Sequence, residues 1–189
     1  MSFSRLSSRK TKPFSLAILM LIVVSMISVS ALALAKNSSK HNQAIHTDVT
    51  IDKVYVDKSE RVLKLLSGDR VIKTYHIALG DSPVGHKRQE GDERTPTGSY
   101  ILDYKNENSS YYRSIHVSYP NAADKAQAKK RGVSAGGDIM IHGQKNGLGH
   151  LAAITQQRDW TDGCIAVTND EMDEIMSVYK AGMPIEIVE

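Results

Sequence analysis

Phe14–Ala35 is a run of 22 residues interrupted only by Ser15, Ser25, Ser28 and Ser30. As a helix it is long enough to cross a bilayer core of about 30 Å. Residues 1–13 before it are polar and basic, and Ala31-Leu32-Ala33-Leu34-Ala35 ends it with two small-x-small cleavage sites. A basic stretch, an apolar stretch and such a site describe either a secretory signal, cut after Ala35, or a retained anchor. Both place the positive charges in the cytoplasm and export the C-terminal part of the chain. The expectation is residues 1–35 as signal or anchor, 36–48 as a polar linker, and 49–189 as one folded domain. Its compartment is then the periplasm or cell envelope, with the membrane touched only through an uncleaved N-terminal segment.

This leader also explains the charge. Of 24 basic residues, four (Arg5, Arg9, Lys10, Lys12) lie in the first 35, which carry no acid, so the rest holds 20 bases against 21 acids. The pI near 8.9 therefore belongs to the leader. Nothing global points to nucleic acid. One cysteine excludes an intramolecular disulfide, a four-cysteine zinc site and a redox pair. The exported domain must hold together by its own core.

From Val49 onward, strand signals dominate. Thr50–Val56, Arg61–Ser67 and Arg70–Leu79 are apolar-rich or alternating and separated by tight polar turns, which predicts an antiparallel meander. In the third, Val71, Tyr75, Ile77 and Leu79 are expected on one face, with Thr74 and His76 on the other. Gly80–Gly98 reads as a long surface loop. Gly98–Asp103, Ser114–Ser118, Ile139–His142 and Pro184–Val188 are further strands. Asn121 caps an Ala-rich helix, Ala122–Arg131, closed by Gly132, and Leu151–Gln157 suggests one or two helical turns. Thr168-Asn169-Asp170-Glu171 is a capping box. The helix it opens carries Met172, Ile175, Met176 and Tyr179 as one apolar stripe and is expected to end at Gly182. The domain is mostly β with a few helices, of α+β class.

Cys164 sits in Thr161-Asp162-Gly163-Cys164-Ile165-Ala166-Val167. A lone cysteine is either a small buried apolar residue or a reactive thiol. Gly163 permits a sharp turn before the sulfur, and an apolar strand and a capped helix come after it. A nucleophile on a turn beside rigid structure, near backbone N–H groups, is what acyl transfer requires. It needs a base, because the thiolate is the reactive form. Of seven histidines, His142 is the strongest candidate: it closes Ile139-Met140-Ile141 and precedes Gly143, whose carbonyl is free to hold an imidazole N–H. The other reading of His142 is a satisfied structural histidine. His41 and His46 fall in the linker, and His76, His86, His116 and His150 are weaker candidates. No H-E-x-x-H or H-x-H occurs, so a zinc peptidase is disfavoured, and neither a metal nor a cofactor is expected.

Ile141-His142-Gly143, followed 22 residues after His142 by Gly163-Cys164-Ile165, resembles the YkuD-type L,D-transpeptidases of bacterial peptidoglycan. Thr95-Pro96-Thr97-Gly98-Ser99-Tyr100, Tyr119-Pro120-Asn121 and Gly182-Met183-Pro184-Ile185-Glu186-Ile187 are similar to further segments of that family, so the resemblance covers Val49 to Val188. It implies a β-sandwich or barrel catalytic domain and a cysteine acyl transferase. Cys164 would attack the carbonyl between the third residue of a tetrapeptide stem and D-Ala, and an amine would resolve the thioester into a 3–3 cross-link or attach a protein to the wall. His142 would be the acid–base group. Gly143 would orient the imidazole, and the backbone N–H groups of Gly163 and Cys164 would hold the oxyanion. Trp160, Thr161 and Asp162 would meet substrate. Peptidoglycan stem peptides are the implied partners and carbapenem-type compounds the implied inhibitors.

The family's common pattern is S-H-G-C-[IV]-R; here Thr161, Asp162 and Ala166 replace the serine, histidine and arginine. Asp162 is expected to point away from the sulfur, capping backbone N–H groups or pairing with Arg158. Ser82–Thr97 is expected to wall the substrate site. Two other classes stay open. One is a hydrolase on the same scaffold, cutting cross-links or wall-attached protein. The other is a non-catalytic wall-binding module, in which Cys164 would be buried and remote from His142.

Overall fold

A computed structural model describes residues 49–189. The leader and most of the linker expected above lie outside the described residues. Eight strands form one sheet: β1 (Lys53–Asp57), β2 (Val62–Ser67), β3 (Arg70–His76), β4 (Gly98–Ser109), β5 (Tyr112–Val117), β6 (Met140–His142), β7 (Ile165–Ala166) and β8 (Met183–Val188). Their spatial order is β3-β2-β1-β8-β4-β5-β6-β7. β1·β8 and β6·β7 are parallel. The neighbours β1·β2, β2·β3, β4·β5, β4·β8 and β5·β6 are antiparallel. The helices are α1 (Ala122–Arg131), α2 (Ala152–Thr155) and α3 (Asn169–Val178), and a 3-10 turn (Gly149–Leu151) leads into α2.

The sheet curls until its edges meet. Ala78, just beyond β3, exchanges backbone hydrogen bonds with Ala166 of β7 at 2.9 and 2.8 Å, and Gly80 bridges Thr161. Inside the curl, Val54, Val56, Leu63, Leu65, Leu102, Ile115, Ile141 and Ile165 are buried with Met172 and Ile175 of α3. Each such side chain stabilises the fold by roughly 1.5–3 kcal/mol relative to exposure.

The expected meander β1-β2-β3 forms, with one exception to its pattern. Tyr75, Ile77 and Leu79 are buried, but Val71 is 48% exposed. Leu65 pairs with Lys73 and Leu66 with Val71, so Ile72 is an extra residue in a β-bulge. The bulge breaks the period-2 alternation, which is why Val71 leaves the core face. Lys73 and Tyr75 instead meet Glu174 of α3 at 3.3 and 2.9 Å.

Both predicted caps are present. Asn121 Oδ1 accepts from the N–H groups of Ala123 and Asp124, and Gly132 closes α1 in the left-handed region. Thr168 and Glu171 form the capping box of α3. That helix ends at Val178 rather than at Gly182. Gly182, at φ 84°, instead turns the chain into β8, its N–H donating to Leu102 O. β4 runs six residues beyond Asp103, because its polar half pairs with β5 up to Ser109↔Tyr112.

Candidate active site

β6 and β7 lie parallel, with Ile141 beside Ile165 and His142 beside Ala166. Both isoleucines face the core. By strand alternation Met140, His142 and Cys164 share the opposite face. Cys164 stands one step before β7, next to Met140 and diagonal to His142, an α-carbon separation of about 8 Å set by strand spacing and rise. Both side chains line one cavity of about 220 Å³, together with Ser109, Tyr111, Ser114, Asp138, Met140, Trp160, Thr161 and Asp162.

The imidazole is fixed on three sides. Its Nδ1 lies 2.7 Å from Gly143 O. A carbonyl only accepts, so Nδ1 carries the proton and Nε2 has a free lone pair. Tyr111, at the tip of the β4–β5 hairpin, packs its ring 4.7 Å from the imidazole, and Trp160 sits edge-on at 5.7 Å. Gly143 is required for contact reasons: a Cβ there would lie 2.7 Å from Asn169 Oδ1. That same oxygen accepts the Gln144 N–H at 2.8 Å, tying the strand end to the start of α3.

The cysteine turn is braced from within. Thr161 Oγ1 donates to Cys164 O at 2.8 Å and accepts the Gly163 N–H at 3.1 Å. Gly163 has φ 122°, and a Cβ on it would meet Arg94 O at 2.6 Å. The loop before β4 therefore presses on the turn. Asp92 organises that loop, accepting from Lys87 Nζ at 2.8 Å and from the N–H groups of Arg88, Gln89 and Arg94. Asp159 supports the other side: its Oδ1 accepts the Leu79 N–H at 2.9 Å and its carboxylate pairs with Arg61 at 2.7 Å.

Cys164 Sγ takes an N–H from Met140 at 3.4 Å and donates to Asp138 O at 3.5 Å. Burial pushes its pKa up. The Met140 N–H and Lys87 oppose the rise, and Asp162 and Asp138 add to it. Burial likewise lowers the pKa of His142, against the Gly143 hydrogen bond. In the free site burial thus disfavours the charged form of both the thiol and the imidazole.

Several expected roles change. The Gly163 N–H is engaged by Thr161, which leaves the Cys164 N–H as the turn's candidate oxyanion donor. Thr161 is a buried brace whose hydroxyl is committed to the turn, not a free substrate contact. Asp162 borders the Cys164 cavity and a second one of about 260 Å³, and its charge acts on the thiol. That second cavity is lined by Lys87, Glu90, Gly91, Glu93, Gly136, Gly137, Asp138 and Asp162, so the loop before β4 walls it, and it meets the Cys164 cavity at Asp138 and Asp162. Trp160 lines the first cavity, and its indole N–H is buried with no acceptor among the described residues. Tyr111, Ser114 and Asp138 were not foreseen. Nothing in Ser109-Ser110-Tyr111-Tyr112 read alone marks a site, and only the hairpin pairing carries Tyr111 over His142. Among the described residues, no three His, Cys, Asp or Glu side chains are placed to hold a metal ion.

The model of the YkuD L,D-transpeptidase catalytic domain matches residues 51–187. The chain belongs to this family. YafK of Escherichia coli strain K12, provisionally named as an L,D-transpeptidase, is 30% identical over 129 residues, which are 65% of this chain and 44% of YafK. The chain thus spans less than half of that relative. Among solved structures, the helical cell shape determining protein Pgp2 of Campylobacter jejuni is similar at TM-score 0.58 and 26% identity, in its K307A mutant, over 79% of this chain and 50% of Pgp2. Bd1075 of Bdellovibrio bacteriovorus shares the fold at TM-score 0.52 and 23% identity, over 77% of this chain and 51% of its own. The curled, mostly-strand sheet is the YkuD fold, as the resemblance implied.

Proposed function

We propose that this YkuD domain is a cysteine acyltransferase of the cell envelope acting on peptidoglycan stem peptides. The observation that carries the reading is the placement of Cys164 and His142 on one face of β6 and β7, in one cavity, with Nδ1 held by Gly143 O. In that tautomer Nε2 takes the thiol proton as Sγ attacks the carbonyl joining the third stem residue to D-Ala. The oxyanion forms against the Cys164 N–H, a donor worth about 3 kcal/mol in related chemistry. Nε2–H then protonates the departing D-Ala amine, leaving a thioester. An acceptor amine attacks the thioester and gives a proton to Nε2, and Nε2–H passes that proton to the departing sulfur, which restores the thiol and the neutral imidazole.

A second cavity adjoining the one that holds Cys164 supports transfer over hydrolysis. The two share Asp138 and Asp162, and on this reading the second gives the acceptor its own approach. The second is lined by Glu90, Glu93, Asp138 and Asp162, with Lys87 paired to Asp92. Such a lining attracts a cationic amine. Export through the leader places the domain beside its substrate.

The test is intact-mass spectrometry after incubation with a carbapenem, followed by tetrapeptide muropeptide with a D-amino acid acceptor. A covalent adduct lost in Cys164→Ala, together with an exchanged product, is expected. Tripeptide alone would make the protein a hydrolase. No adduct and no product would overturn the reading.

A further inference from the structure

The face that carries Cys164 continues sideways across the sheet. Ser114 and His116 of β5 pair with His142 and Met140 of β6. They lie on the cavity face, while Ile115 and Val117 between and beyond them are fully buried in the core. On β4, Leu102 pairs with Val117 and Lys105 with Ile115, so a bulge puts both Asp103 and Tyr104 opposite His116. The register thus defines a row: Cys164, Met140, His116, Tyr104. Three inter-strand steps separate its ends, a distance of about 14 Å.

The far end of the row is a built aromatic surface. Tyr104 stacks on His116, with ring centres 4.7 Å apart and planes 12° from parallel. His116 is locked beneath it by Asp103, Nδ1 to Oδ1 at 2.7 Å. With one face on the imidazole, Tyr104 still leaves 47% of its surface open. Burial and the charges of Asp138 and Asp103 raise the Tyr104 pKa, so its hydroxyl stays protonated. Asp138, whose charge it feels, is one of the two residues bordering both cavities. An isolated exposed tyrosine means little. A tyrosine immobilised on a clamped histidine, in register with the nucleophile, has already met the cost of ordering that a binding surface otherwise meets on association.

We propose that Tyr104, on its His116–Asp103 support, is a subsite for the amino sugar that carries the donor stem. The inference rests on the acyltransferase reading above and deepens it. Its chemistry is that of a sugar: an aromatic plane for the C–H face of a pyranose, with the carboxylate of Asp103 beside it to accept from hydroxyl and acetamido N–H groups. Its distance also fits. With the third-residue carbonyl at Cys164, three extended residues reach back about 10 Å. The lactyl ether joining them to the sugar adds about one residue's length, which brings the pyranose over Tyr104. The donor is then read at both ends, by the thiol at its scissile bond and by the platform at its glycan.

Two measurements on the full chain test this. The first is saturation-transfer NMR with the N-acetylglucosaminyl–N-acetylmuramic acid disaccharide lacking any peptide. Sugar signals are expected with the wild type and with Tyr104→Phe, and their loss is expected with Tyr104→Ala. The second compares KM for the free tetrapeptide with KM for the disaccharide tetrapeptide. The disaccharide form is expected to have a KM about 5-fold lower in the wild type, a gap that closes in Tyr104→Ala. Sugar signals untouched by Tyr104→Ala, or equal KM values in the wild type, would overturn the platform while leaving acyl transfer standing. If neither substrate is turned over, the acyltransferase reading fails by itself. The disaccharide arm then still decides: Tyr104-dependent signals support the subsite, and their absence removes it.

Discussion

Cys164 and His142 share a cavity whose burial disfavours the charged form of each, and the acidic side chain at its edge adds to the effect on the thiol. Asp162 borders the thiol cavity, and its charge is one of the causes that hold the thiol pKa up. Asp162→Asn removes the charge and keeps the shape, so thiolate formation becomes easier. Alkylation of Cys164 by iodoacetamide at pH 7 is expected to quicken; an unchanged rate would deny the electrostatic role. His142→Ala should lower turnover by about 10²–10⁴, the range for a positioned acid–base group. A comparable loss from His150→Ala would mean the base is misassigned. The pH dependence has a definite sign. His142 must be neutral to accept the proton, and burial lowers its pKa. The acid limb of kcat/KM should therefore lie below the ordinary histidine value of about 6.5. By linkage, the folded state binds fewer protons than the unfolded chain between the lowered pKa and that ordinary value. The stability contributed by a neutral His142 is thus complete above about pH 6.5 and is lost as pH falls toward the folded pKa.

At the scale of elements, the turn before β7 is the part that tolerates least. Gly163→Ala would place a methyl group 2.6 Å from Arg94 O at φ 122°. It should cost several kcal/mol, combining a backbone strain of about 1–3 kcal/mol with overpacking. Thermal unfolding and carbapenem acylation should fall together, because the methyl pushes the turn away from the loop that backs it. A variant with normal melting and normal acylation would show that the loop yields freely. These contacts also mark where the sequence is legible. The meander, the Asn121 and Thr168 caps and the buried stripe of α3 could be read because each depends on residues within one turn or one strand of each other. Cys164 and His142 could each be nominated from their local settings, and the family resemblance supported pairing them. Their juxtaposition depends on the β6·β7 register, which neither strand, at three and two residues, encodes alone. The exposure of Val71, the polar half of β4 and the placement of Tyr111 over His142 escaped for the same reason. A bulge and a hairpin register decide them, and both are set by pairing between strands rather than by either strand's own residues.

For the molecule as a whole, the reactive turn sits on the seam where the sheet closes. The chain order puts β3 and β7 at opposite ends of the sheet. The Ala78–Ala166 hydrogen bonds and the Gly80–Thr161 bridge then join the segment after β3 to the segment carrying Cys164. Asp159 staples this seam together with Gln156, whose Nε2 reaches Ala166 O at 3.0 Å; Asp159 holds Arg61 before β2 and the Leu79 N–H after β3 in one carboxylate. Trp160 comes next in the chain, its backbone N–H on Leu79 O at 3.0 Å and its ring against His142. Trp160 is the chain's single tryptophan, so its fluorescence reports on the seam alone. Asp159→Ala strands Arg61 and the Leu79 N–H, and with both side chains partly exposed the cost should be about 1–3 kcal/mol. Asp159→Asn keeps an acceptor for Leu79 and should lose less. If the seam is the weakest joint of the curled sheet, the Trp160 transition in urea should precede the far-UV circular dichroism transition in Asp159→Ala, while the two coincide in the wild type. Acylation of Cys164 should then track the fluorescence curve, since the turn that carries the thiol is held at the seam by the Gly80–Thr161 bridge. Coincident transitions in the variant would show that the closure opens only when the whole sheet does.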